Sequence, residues 1–138
     1  MKKYIGLFLL LVILSACSDE SKSYTIEDAE ENGDVVIKED GNTENLEELL
    51  SFIENVEKGT EDDVSIATYR SGKPMMQELI YDGSSIELTT DTQSLSCGRI
   101  VERSGIISLR ECDGTEENLG IAQVSEYEIN RVKAKMKE

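Results

Sequence analysis

The sequence predicts an α+β domain: one helix packed on an antiparallel β-meander of four to five strands, followed by a C-terminal helix. Three observations lead there. One apolar stripe at spacings of three and four runs through residues 46–58. From residue 63 the apolar period changes to two and is broken by turn dipeptides. A capping signature then opens the last fourteen residues.

In chain order, Asp34-Val35-Val36-Ile37 is a short β-favouring run that opens the domain, and Asp40-Gly41-Asn42-Thr43 reads as a loop. Asn45 is placed to cap a helix over 46–58, with Glu48 at the reciprocal capping-box position. Leu46, Leu49, Leu50, Ile53 and Val56 form its apolar stripe, Lys58 stands in its last turn and Gly59 just past its end. Its glutamate-rich opposite side reads as a solvated surface.

Val64, Ile66 and Thr68 then alternate with Ser65, Ala67 and Tyr69 up to a turn at Ser71-Gly72. A second strand covers 75–81, Asp82-Gly83 marks a hairpin, and a third strand covers 85–90. Two-residue turns would set Val64 opposite Leu79 and Leu79 opposite Ile86, all on the face that takes the helix. Pro74 follows the first turn directly, where its missing N–H does little harm.

The next pair, 99–102 and 106–110, turns at Ser104-Gly105. A two-residue loop there pairs residues whose numbers sum to 209, a condition Cys97 and Cys112 satisfy. Two cysteines so placed are expected to form a disulfide in an oxidising compartment, with a bulge or wider loop nearby, because plain alternation makes them a hydrogen-bonded pair. The competing reading is two free thiols acting as a metal or redox pair. It lacks both the C-x-x-C spacing and a further soft ligand. Residues 113–124 read as a loop. Ser125 with Glu128 forms a capping box for a helix over 126–137, whose thin stripe is Ile129, Val132 and Met136. That basic tail is expected to fold back on the acidic body rather than lie on lipid.

The N-terminus has a different character. Met1-Lys2-Lys3-Tyr4 is basic, residues 5–14 are apolar, and Leu14-Ser15-Ala16-Cys17 matches a bacterial lipobox. The apolar run falls short of the roughly 20 residues that span a bilayer. An ordinary secretory cut after Ala16 would place Leu14 where a small residue belongs. The expectation is a lipoprotein signal peptide over 1–16, with Cys17 carrying a diacylglyceryl group and holding the protein on the outer face of the bacterial cytoplasmic membrane. Residues 17–33 then read as a lipidated acidic tether, because 18–33 hold six acids and three apolar side chains. A flexible coil of that length spans about 22 Å. Tyr24 and Ile26 are its only plausible anchors, and 34–138 is the single folded domain.

Composition limits the chemistry. The 138 residues include 29 acidic and 14 basic side chains, one proline, and neither histidine nor tryptophan. Without histidine there is no Ser-His or Cys-His nucleophile and no His-containing zinc or haem site. A formal charge of −15 argues against nucleic acid as a partner. Cleavage before Cys17 removes Lys2 and Lys3 and no acid, which leaves the mature chain at −17.

The order of Asp34-Val35-Val36, Asn45-Leu46-Glu47, Phe52-Ile53-Glu54-Asn55-Val56 with Gly59, Tyr69, Gly72-Lys73-Pro74 and Leu79-Ile80-Tyr81-Asp82-Gly83 resembles a family of small lipoproteins from Bacillus-type bacteria. That family is catalogued only as a domain of unknown function. Cys97 and Cys112 match its later cysteine pair, so the resemblance covers about residues 34–112. It implies location and fold and leaves function open. The stretch before Cys97 is shorter here, and the tail after Cys112 is longer and more helical.

Neither a Gly-rich phosphate loop nor G-x-S-x-G occurs. Asp40-Gly41-Asn42-Thr43-Glu44 alternates oxygen ligands, but it lacks the sixth-position glycine and has Ser51 at the twelfth, so it is not an EF-hand. No enzyme, cofactor or metal is expected. The reading is a non-catalytic binding or interaction module with an unidentified protein or cell-envelope partner. The alternative is an acidic surface protein that acts through cation binding or its charge.

Overall fold

The structure, a computed structural model, describes residues 23–138. The signal peptide expected over 1–16 and the lipobox Cys17 lie outside the described residues. The chain runs α1 (Ile26–Asn32), β1 (Val35–Ile37), β2 (Thr43–Glu44), α2 (Leu46–Lys58), β3 (Asp62–Arg70), β4 (Lys73–Tyr81), β5 (Ile86–Thr90), β6 (Ser94–Arg103), β7 (Ile106–Cys112), β8 (Leu119–Gln123) and α3 (Glu126–Met136). All eight strands form one sheet in the order β2-β1-β3-β4-β5-β6-β7-β8, antiparallel except for the β1–β3 pair. The α+β class stands, with eight strands where four to five were expected.

Helix α2 occupies the expected span. Leu46, Leu49, Leu50, Phe52 and Ile53 are buried, and Val56 packs at the margin of the same core. Gly59 closes the helix with φ 72°, as its N–H donates to Val56 O and that of Thr60 to Asn55 O. The expected cap is absent. Asn45 adopts φ 53° and its side chain makes no capping bond. Its Nδ2 donates instead to Asp34 O at 3.0 Å and Glu30 O at 3.3 Å, so the amide satisfies carbonyls between α1 and β1.

The inner face of the sheet gathers Val64, Ile66, Leu79, Tyr81, Ile86 and Leu88 under α2. Val64 does lie opposite Leu79, but Leu79 faces Leu88, and Ile86 faces Tyr81. The β4–β5 connection has four residues rather than two. The carboxylate of Asp82 accepts from the N–H groups of Ser84 and Ser85, both at 2.8 Å, which stabilises the wider turn. A two-residue slip keeps every side chain on its face, so the core keeps the expected members.

Backbone N–H donation from Ser85 and Ser84, then the Ser84 hydroxyl, holds the Asp82 carboxyl below its ordinary value. This group therefore stabilises the fold above its unfolded pKa and loses that contribution as pH falls through its lower folded value. In an NMR titration Asp82 should protonate below an unperturbed aspartate, while Asp82→Ala, which removes the acceptor, should loosen the turn.

Two segments read as unstructured form elements. Ile26–Asn32, inside the expected tether, is a helix with a complete Thr25/Asp28 capping box. Its Ala29 packs with Val36, Ala67 and Tyr69 on the outer face of the sheet, beside Tyr24, Ile26 and Met76. The Tyr69 hydroxyl donates to Tyr24 O at 3.1 Å, the Tyr24 hydroxyl donates to Asp34, and Lys38 bridges Glu30 and Glu44 at 3.0 and 3.1 Å. Few apolar side chains suffice for α1 because the sheet supplies most of that second core. Within the expected loop 113–124, Leu119–Gln123 pairs with β7 as β8.

Helix α3 docks on the main core through Ile129 and Val132, while Met136 at its end stays 36% exposed. The Ser125 hydroxyl accepts from Glu128 N at 3.2 Å, which caps the helix, but the expected box is only half formed, since the Glu128 carboxylate accepts from Arg131 instead. Glu102 ties α3 to the β6–β7 turn, accepting from Gly105 N at 3.1 Å and pairing with Lys133 at 3.3 Å.

Candidate functional site

Ser104 and Gly105, with φ 53° and 81°, form the two-residue turn that sets the β6–β7 register. Gly105 must be glycine for a second reason, since a Cβ there would stand 2.0 Å from Val124 O. From this turn the ladder pairs Ile100 with Leu109, Arg99 with Arg110 and Cys97 with Cys112, every pair obeying the sum expected from the sequence. Cys97 and Cys112 are disulfide-bonded and close a separation of 15 residues.

An irregularity is present, although it is neither the bulge nor the wider loop expected for this hairpin. Beside the disulfide the core-facing residues are Cys97 and Ile100 on β6 and Leu109 and Cys112 on β7, so each strand advances by three there, whereas Ile107 and Leu109 keep the ordinary step of two. Both strands change phase together, which preserves the pairing. On β7 the change falls at Glu111, whose φ is +57°, an uncommon conformation for this residue type. Opposite it stands Gly98, where a Cβ would lie 2.8 Å from the Glu111 carboxylate. Gly98 thus makes the room that the Glu111 side chain occupies.

Directly above the disulfide, Arg99 and Arg110 face each other on the solvent side of the ladder. Arg99 Nε lies 3.7 Å from Glu111, both side chains being more than half exposed. Arg110 is half-buried, and its Nε is closed off from water with no acceptor among the described residues. The expectation of a site confined to Cys17 and the two cysteines missed this pair, although the register arithmetic that joins the cysteines also joins the arginines.

The other oxygen-rich candidate is spent on its own loop. Asp40 accepts from Asn42 N at 3.0 Å and Asn42 Nδ2 at 2.7 Å, and these bonds hold its carboxyl below the ordinary range. Among the described residues, no group of three or more Asp, Glu or Cys side chains is placed to hold a metal ion.

The architecture defines a small α+β domain whose β6–β7 hairpin is clasped by a disulfide. The chain belongs to the family described as a domain of unknown function (DUF4362), whose family model matches residues 32–131. The match runs past Cys112, where the resemblance read from the sequence stopped, through β8 and into α3, and it takes in only the last residue of α1. No curated protein and no solved structure matches the chain.

Proposed function

We propose that the protein is an extracytoplasmic lipoprotein, anchored through Cys17 to the outer face of the bacterial cytoplasmic membrane, whose domain is a non-catalytic binding or interaction module. The observation that carries this reading is the Cys97–Cys112 disulfide, buried in the sheet. Bridges of that kind persist in oxidising compartments and are rare where thiols are kept reduced. An extracytoplasmic address agrees with the Leu14-Ser15-Ala16-Cys17 lipobox. Among the described residues, the exposed large apolar side chains are Met75, Ile80, Ile106, Tyr127 and Met136, and these are the apolar groups a partner could engage.

The test is Cys17→Ser in the producing cell. The variant should appear in the medium or accumulate as uncut precursor, while the parent partitions with membranes and into detergent. A variant that is fully processed, membrane-bound and as hydrophobic as the parent would rule the anchor out.

A further inference from the structure

We propose that Arg99 and Arg110 form an oxyanion site on the solvent face of the β6–β7 ladder, and that the site takes a phosphate group. The inference rests on the ladder itself and not on the lipid anchor. In a chain of net charge −15, the register sets two guanidinium side chains directly opposite each other. Side chains so paired have Cβ atoms about 4.5–5.5 Å apart, and like charges there destabilise the sheet unless something neutralises them.

The protein neutralises them only in part. Glu111 reaches Arg99 from 3.7 Å with both groups well hydrated, an arrangement that contributes little. Arg110 receives nothing from it. Arg110 Nε is a charged donor withdrawn from water without an acceptor, an arrangement that costs stability until the guanidinium turns outward to meet one. Arg70 and Arg103 also lack an ion pair among the described residues, but both are exposed and water serves them.

The surroundings hold the pair in place. The disulfide joins the two strands one step below it, and Ile100 and Leu109 pack beneath it in the core. Gly98 and the left-handed Glu111 seat the acidic side chain over the Gly98 side of the ladder. Ser108, two residues from Arg110 along β7 and therefore on the same face, adds a hydroxyl at the margin.

The charge count selects phosphate over a carboxylate. One carboxylate is already present and leaves Arg110 unmet, whereas a phosphate carries about −1.5 to −2 charges at neutral pH and three acceptor oxygens for two planar forks. The acidic body repels any anion at long range, but that field is screened beyond about 8 Å at physiological ionic strength, so contact decides. The phosphate can be a free ion or the monoester headgroup of a phospholipid.

The experiment titrates the full chain in detergent with inorganic phosphate at constant ionic strength, following the arginine Nε–H signals by NMR. The Arg99 and Arg110 signals should shift together and saturate. Arg99→Gln and Arg110→Gln should each weaken binding by about tenfold or more, as expected for losing one charge-assisted contact. Arg103→Gln should leave it unchanged. Arg110→Lys, which keeps the cation, guards against a folding defect and should still bind more weakly than the parent. A parallel arm with phosphatidic acid vesicles separates the sources: saturation by the free ion alone assigns a soluble phosphate, and by vesicles alone a headgroup. Shifts that never saturate in either arm, or a loss in Arg103→Gln equal to that in Arg110→Gln, would overturn the site.

Discussion

Phe52→Ala should cost about 3–5 kcal/mol of folding free energy, the range for emptying a fully buried aromatic position. Phe52 is 0% exposed at the centre of the α2 contact with the sheet. Single domains are stable by about 5–15 kcal/mol in all, so the variant should be near the edge of folding at 37 °C. Urea denaturation followed by circular dichroism is the measurement, and the midpoint should fall while the slope stays constant. Val56→Ala, one turn further along and only partly buried, should cost less. Equal losses at the two positions would mean that α2 is seated differently.

Loss of the Cys97–Cys112 bridge is the second large effect. Closing a loop of 15 residues contributes about 3 kcal/mol in the chain-entropy account. Reduction, or replacement of both cysteines by alanine, should lower the urea midpoint accordingly. Mass spectrometry of the unreduced chain should find this pair two hydrogens lighter than after reduction. Cys97 and Cys112 are 1% and 5% exposed, so the bridge should resist reduction in the native protein, and neither cysteine should alkylate until the bridge is reduced.

The parts of this fold legible in the sequence are those specified locally. Helix α2 follows from one stripe and one terminal glycine, and the β6–β7 register follows from a two-residue turn. Phe52 is left out of the stripe because it flanks rather than continues it, yet it is fully buried in the same core. Strands β1, β2 and β8 are short, and their pairing partners lie far off in sequence or in weakly patterned segments. Leu119-Gly120-Ile121-Ala122-Gln123 has little β-propensity of its own and becomes a strand because β7 offers an edge. Asn45 and Asp82 show the same limit at single residues: each has a local role by composition, and tertiary or turn geometry assigned another. For the candidate site, the pairing of Arg99 with Arg110 was available from the numbering alone. The face they share was not, since it depends on both strands changing phase beside the disulfide.

The small helix α1 has a consequence for reach. Its N-terminal side is pinned by Tyr24, whose carbonyl accepts from Tyr69 and whose hydroxyl engages Asp34. Tyr24 follows Cys17 by seven positions, and seven fully extended steps cover at most about 25 Å. With Cys17 as the lipidated residue proposed above, the body of the protein stays in a layer about as deep as twice its own radius of gyration, ~13 Å for a domain of this size. A partner embedded in the same membrane then meets it by sliding in two dimensions, at an effective concentration set by the density of the two on the surface. A partner in bulk solution gains nothing from this arrangement, so the docking of α1 favours encounters between neighbours on one membrane.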